Sequence, residues 1–160
     1  MKRQLTLLLY GAAVVVYTLD RATKLLAERH LDGRPPIDVI PGVLQLRFTT
    51  NPGGAFGLLG RATWLFVGAS VVVVVIILVA SRRPPSVAAA VALGLVLGGA
   101  LGNLTDRLVR GPGLSGEVVD FIDFQVWPVF NIADSCIVIG AALLLLTGPR
   151  VSRAETEPTA

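Results

Sequence analysis

The sequence predicts an all-α membrane protein: four transmembrane helices with a small β-strand platform at one membrane face. Three observations carry this. Hydrophobic residues make up 53% of the 160 and charged residues 16%, and mean hydropathy is +0.71, which leaves too little charge to cover a soluble domain. Four apolar segments reach the roughly 20 residues that a bilayer core requires. The two longer connections between them each hold a strand-like stretch.

The first span covers residues 4–24. Met1-Lys2-Arg3 ahead of an apolar run imitates a secretory signal, but no small-x-small cleavage pattern follows and Asp20 and Arg21 close the run, so it reads as a retained span. The second, residues 62–80, is uncharged and holds a run of valines; β-branched runs favour strands in water, and the length and a lipid surrounding override that. Pro84-Pro85 ends it in a tight turn. The third, residues 86–104, is uncharged and rich in Ala and Gly. The fourth, residues 129–148, carries one charge, Asp134. Between the first two spans, Leu44, Leu46 and Phe48 alternate with Gln45, Arg47 and Thr49, a strand with one apolar face. Between the last two, Gly111-Pro112-Gly113 makes a turn and residues 118–126 read as a second strand. The expected organisation is one four-span domain over residues 1–148 and a polar tail over 149–160.

Net charge is +3, but the basic residues sit at segment ends and form no basic face, so they read as lipid-headgroup and flanking contacts rather than a nucleic-acid surface. The single cysteine, Cys136, allows no internal disulfide.

Four spans joined in sequence place the C-terminal ends of the first and third spans at the same membrane face as the N-terminal end of the fourth. That face collects Asp20, Asn103, Asp106, Arg107, Asn131 and Asp134, and both long connections add Asn51, Asp120 and Asp123 to it. Each has a plain structural role open to it. Asp20 pairs with Lys24 at i+4, Asp106 and Arg107 make an interfacial ion pair, and Asn103 bonds between helices. Asp123 lies on a surface loop, and Asn131 and Asp134 cap a later-starting helix. Gly98 and Gly99 serve close helix packing, and Cys136 is a small core residue. Taken jointly, so many acids and amides at one membrane boundary point to chemistry. Zinc-type hydrolysis wants several His or Cys ligands and this chain has one of each; a Ser–His pair has only His30. Carboxylates are what the face offers. Two that share a site resist double ionisation, so one keeps its proton while the other acts as base on water.

The stretches NPGGAFG at 51–57, GGALGNLTDR at 98–107, VVDFID at 118–123 and FNIAD at 130–134, after Asp20 with Lys24, occur in an order that resembles the bacterial lipoprotein signal peptidases, the signal peptidase II family. The resemblance covers almost the whole chain. It implies a membrane aspartic endopeptidase that cuts diacylglyceryl-modified prolipoproteins just before the lipidated cysteine, needs no metal or organic cofactor, and is blocked by the peptide antibiotic globomycin; a monomer is expected. Its catalytic pair falls on Asp120 and Asp134, and its supporting residues on Asp20, Asn51, Gly54, Asn103, Arg107, Asn131 and Ala133. Asp106 takes a structural ion-pair role, Asn131 orients Asp134, and Arg107 holds a loop or a substrate carbonyl.

Gly54 departs from the family's usual alanine, the turn between Arg107 and Val118 is longer than the family's, and the stretch between Asp120 and Asp134 is shorter. The resemblance also implies a bacterial cytoplasmic-membrane location, both termini in the cytoplasm, and the strands and site at the outer face. Charge counting does not decide this, because Arg21, Lys24, Arg29, Arg34, Arg47, Arg61, Arg107 and Arg110 fall on the proposed outer side. The rival reading is a small proton or cation carrier that uses the acids as a relay.

Overall fold

The computed structural model describes residues 2–53, 63–82, 84 and 86–147. Its elements run α1 (Lys2–Leu31), β1 (Ile37–Ile40), β2 (Leu44–Asn51), α2 (Thr63–Ala80), α3 (Val87–Val109), a 3-10 turn (Pro112–Leu114), β3 (Val118–Asp123) and α4 (Ile132–Thr147). The helices α1, α2 and α3 are long and apolar enough to cross a membrane; α4 is apolar and shorter, at 16 residues.

Small residues decide how the helices meet. A side chain at Gly94 would strike Leu9 and Ala12, and one at Gly98 would strike Ala13 and Val16, so α3 lies parallel to α1 at close range. The opposite order, with Gly99 on Ala133 and Gly140 on Ala92, makes α4 antiparallel to α3. Tyr10 and Thr6 near the start of α1 bond to Ser81 just after α2, the oxygens of Tyr10 and Ser81 being 2.9 Å apart. Below the polar end, the core of Leu9, Ala13, Ile77, Ala90, Leu93, Val96 and Leu97 is apolar throughout.

The 30-residue α1 continues past the expected end at 24. At about 1.5 Å per residue it is some 45 Å long, against a bilayer core of about 30 Å. The extension is held by its own apolar face, since Ala27 and Leu31 pack on Val119 and Phe121 of β3, and Gly33, with φ of 66°, ends it. The sheet that sits against this extension is antiparallel with order β1-β2-β3. The short β1, absent from the sequence reading, pairs Ile37 with Leu46 and Ile40 with Leu44 across a turn that uses Gly42 at φ of 73°.

Other ends also differ from expectation, and α3 runs on to Val109 instead of 104. The strand β3 stops at Asp123 instead of 126, because the Gln125 N–H donates to Asp123 Oδ1 at 2.7 Å and Gln125 itself has φ of 63°. Helix α4 begins at Ile132 instead of 129. Phe130 is still extended, its N–H donating to the Ile122 carbonyl at 3.1 Å, and Asn131 caps the helix by accepting from the Asp134 N–H at 2.9 Å. Asp134 therefore stands in the first turn of α4, the later-starting helix that the plain reading of Asn131 and Asp134 allows.

Candidate active site

The strand β3 is buried on both faces. Val119 and Phe121 face the α1 extension, which turns Asp120 to the other side, toward the start of α4. There Asn131 Nδ2 donates to Asp120 Oδ1 at 2.6 Å, and Asn51 Nδ2 donates to Asp120 Oδ2 at 3.2 Å. Asn51 is fixed in turn: its Oδ1 accepts from the Gly53 N–H at 3.0 Å, a turn that places Gly53 at φ of 148°. Asp134 receives Asn103 Nδ2 at 2.7 Å and the Asn131 N–H at 3.4 Å. Asn131, with no exposed surface, thus touches both carboxyl groups, Asp120 through its amide and Asp134 through its backbone N–H.

The two acids face each other electrostatically. Burial first and the charge of Asp134 second push the Asp120 carboxyl up to about 7, against the pull of the Asn51 and Asn131 amides. The titration of the pair belongs to both acids together. Asp123 behaves oppositely: burial raises it, but bonds from Gln45, the Gln125 N–H and Arg47 outweigh that and hold it below the usual carboxylate range. It serves the sheet, with Gln45 Nε2 at 2.7 Å and Arg47 Nε at 3.0 Å, and is not the surface-loop residue the sequence offers as its plain role.

Behind the pair stands a buried ionic cluster. Lys24 Nζ lies 2.9 Å from Asp20 Oδ2 and 2.9 Å from Asp106 Oδ2, all three residues without exposed side-chain surface. Asp106 also pairs with Arg21, accepts from Arg110 Nε at 2.9 Å, and accepts from the Val119 N–H at 3.3 Å. It does not pair with its neighbour Arg107. Arg110 continues to Glu28 through two bonds of 3.0 and 3.1 Å. Asp20 Oδ1 accepts from the Ala133 N–H at 3.1 Å, tying the first turn of α4 to α1. A side chain at Gly102 would run into the Asp20 carboxylate. Arg107 Nη1 donates to the carbonyls of Asn51 and Gly116, both at 2.8 Å, and so pins the end of β2 to the turn before β3.

Asp134, Asn103, Arg107 and Asn51 open on a cavity of about 330 Å³ whose remaining wall is mainly apolar, with Phe66, Trp127, Val129, Phe130 and Ile137. Polar groups at one end and an apolar wall suit a ligand that is polar at one end and apolar beyond it. Of the residues singled out from sequence, Asp20, Asn51, Asn103, Asp106, Arg107, Asp120, Asn131, Ala133 and Asp134 lie within this one connected network; Gly54 falls outside the described residues. Arg21 and Arg110 are additions. Spacing offered Arg110 to Asp106 at i+4, whereas nothing local offers Arg21, 85 residues away from Asp106.

Comparison with known proteins gives a consistent match. Residues 12–148 fit the family model of Signal peptidase (SPase) II. The chain is 46% identical over 144 residues to the lipoprotein signal peptidase of Rhodococcus jostii (strain RHA1), covering 89% of this chain and 73% of that one. It is 47% identical over 146 residues to the lipoprotein signal peptidase of Streptomyces griseus subsp. griseus, covering 91% and 74%. A bacterial membrane enzyme solved by the in meso method at 2.3 Å superposes with a TM-score of 0.74 and 28% identity, covering 93% of this chain and 92% of that one. A second such structure, at 1.9 Å, gives a TM-score of 0.74 and 31% identity.

Proposed function

The chain belongs to the signal peptidase II family of membrane aspartic peptidases, and we propose that it removes the signal peptide from diacylglyceryl-modified prolipoproteins with Asp120 and Asp134 as its catalytic pair. The observation that supports the pair most strongly is their shared partner, Asn131, which bonds to both carboxyl groups. In this reading a water between them loses a proton to the ionised carboxylate while its oxygen bonds to the scissile carbonyl carbon. The neutral carboxyl gives its proton to the carbonyl oxygen. Collapse of the tetrahedral species breaks the C–N bond, and a proton passes to the leaving α-amine of the lipidated cysteine. Asn51, Asn103 and Asn131 hold the carboxyls in place, Asp20 and the Ala133 N–H set the start of α4, and Arg107 with Asn51 frames the peptide path.

The same reading gives one four-span domain over residues 1–148 with a polar tail over 149–160. Both termini lie in the cytoplasm, and the sheet lies on the outer face of a bacterial cytoplasmic membrane. It acts as a monomer, on a lipidated peptide that reaches it from the bilayer. The carrier alternative predicts charged groups that continue through the membrane; α2 and residues 87–102 of α3 carry none.

The test is cleavage of a lipidated precursor by the protein in liposomes, in water enriched in ¹⁸O. One label on the new signal-peptide carboxylate and a product that begins at the lipidated cysteine are expected, with inhibition by globomycin. Cleavage elsewhere, or proton flux without cleavage, overturns the assignment.

A further inference from the structure

Lys24 carries a charge in a place that helix pairing alone does not explain. Its side chain is fully buried, and three oxygens surround its ammonium: Asp20 Oδ2 at 2.9 Å, Asp106 Oδ2 at 2.9 Å and Asn103 Oδ1 at 2.8 Å. An ammonium has three N–H donors and no acceptor. Two of the three neighbours are counter-ions. The third is the neutral amide that touches Asp134.

That third contact fixes which way the Asn103 amide points. Its oxygen meets two groups that only donate, Lys24 Nζ and Asn131 Nδ2 at 3.2 Å, so its nitrogen is left to face Asp134 Oδ1 at 2.7 Å. Turned over, the amide would set its NH₂ against an ammonium and another NH₂, and its oxygen against a carboxylate, with repulsion at every contact. The orientation of Asn131 is set in the same chain, because its Nδ2 also donates to the Val119 carbonyl at 3.2 Å and to Asp120 Oδ1 at 2.6 Å. Charged groups around Lys24 are Asp20 and Arg21 from α1, Asp106 and Arg110 from α3, and beyond the amides Asp120 from β3 and Asp134 from α4.

We infer that Lys24 is a positioning residue for the peptidase reaction: its ammonium locks the Asn103 amide so that the Asn103 NH₂ is held on the Asp134 carboxyl. The inference rests on the proposed Asp120–Asp134 pair and goes beyond it by assigning the cation of the buried cluster a role in catalysis, distinct from neutralising Asp20.

The test is a coupling experiment on purified full-length protein, with kcat and KM for a lipidated precursor. Lys24→Met is expected to lower kcat roughly 100-fold, the size of effect that misplacement of a catalytic group produces, with KM within about twofold. In an Asn103→Ala background the same change is expected to lower kcat less than about threefold, because the lock then has nothing to hold. Equal losses in both backgrounds overturn the inference. If Lys24→Met alone fails to fold, the charge-balanced Lys24→Met/Asp20→Asn protein is read instead. A comparable loss of kcat is expected there, and recovery to the wild-type value would show that Lys24 only neutralises Asp20. Asp134→Asn is run alongside. Activity in that variant removes the catalytic pair itself, whereas an inactive Asp134→Asn beside an active Lys24→Met removes only the role of Lys24.

Discussion

Asp120 and Asp134 are an acid pair with amide hydrogen bonds on both members, and that pairing governs how the site responds to pH. The Asp120 carboxyl, raised to about 7 by burial and by Asp134, stays protonated below that value and loses its proton above it. The one-proton form that the mechanism requires is therefore lost as pH rises, and kcat/KM is expected to fall with an alkaline midpoint near 7. Asn131→Ala removes a bond that favours the ionised form of Asp120, so its carboxyl should hold the proton to higher pH and the alkaline limb should move upward. A pH–rate profile checks both, and a limb that stays in place or moves down in the variant contradicts the role given to Asn131. At this scale the acids and amides were legible in the sequence, since their positions at span ends brought them to one face. What was not legible is who pairs with whom. Asp20 with Lys24 follows from i, i+4 spacing and is present; Asp106 beside Arg107 follows from adjacency and is not made, because successive helical residues point about 100° apart and Arg107 turns instead to the carbonyls of Asn51 and Gly116.

The elements that deliver these residues are short on polar specificity and rely on close backbone approach. Gly99 shows this best. A Cβ there would stand 2.5 Å from the Ala133 carbonyl oxygen and 2.8 Å from Ile137 Cγ1. Gly99→Val is thus expected to force α3 and α4 apart, to cost about 1–3 kcal/mol of stability, and to lower kcat by shifting the first turn of α4 that holds Asp134. Thermal unfolding in detergent together with cleavage rates checks it; unchanged values for both would contradict the packing account. Apolar length and Gly/Ala content made α2, α3 and most of α1 readable. The end of α1 and the start of α4 were not, because both are set by tertiary contacts: Ala27 and Leu31 against Val119 and Phe121, and Phe130 held to Ile122 in the sheet. The strand β1, four residues long with every residue exposed, is too short and has no buried face by which a sequence reading could find it.

At the scale of the whole molecule, the polar end is one layer. The α1 extension, the sheet and the first turn of α4 close over it, and an apolar core lies beneath. The proposed orientation puts that layer outside the cell membrane. In a Cys136→Ser background, a membrane-impermeant thiol reagent is expected to label Asp38→Cys on intact cells and Arg82→Cys only after permeabilisation; the reverse pattern would turn the molecule over. The family, the four apolar segments and the one-sided acids were all within reach of the sequence, whereas the side of the membrane was not, because basic residues are plentiful around the site itself. Most directly, the account is tested by assaying Asp120→Asn and Asp134→Asn side by side on one diacylglyceryl-modified precursor, with membrane insertion and thermal unfolding measured on the same preparations. The prediction is that each inserted, folded variant loses at least about 10³-fold in kcat, and retention of activity within about tenfold of wild type by either one would contradict it.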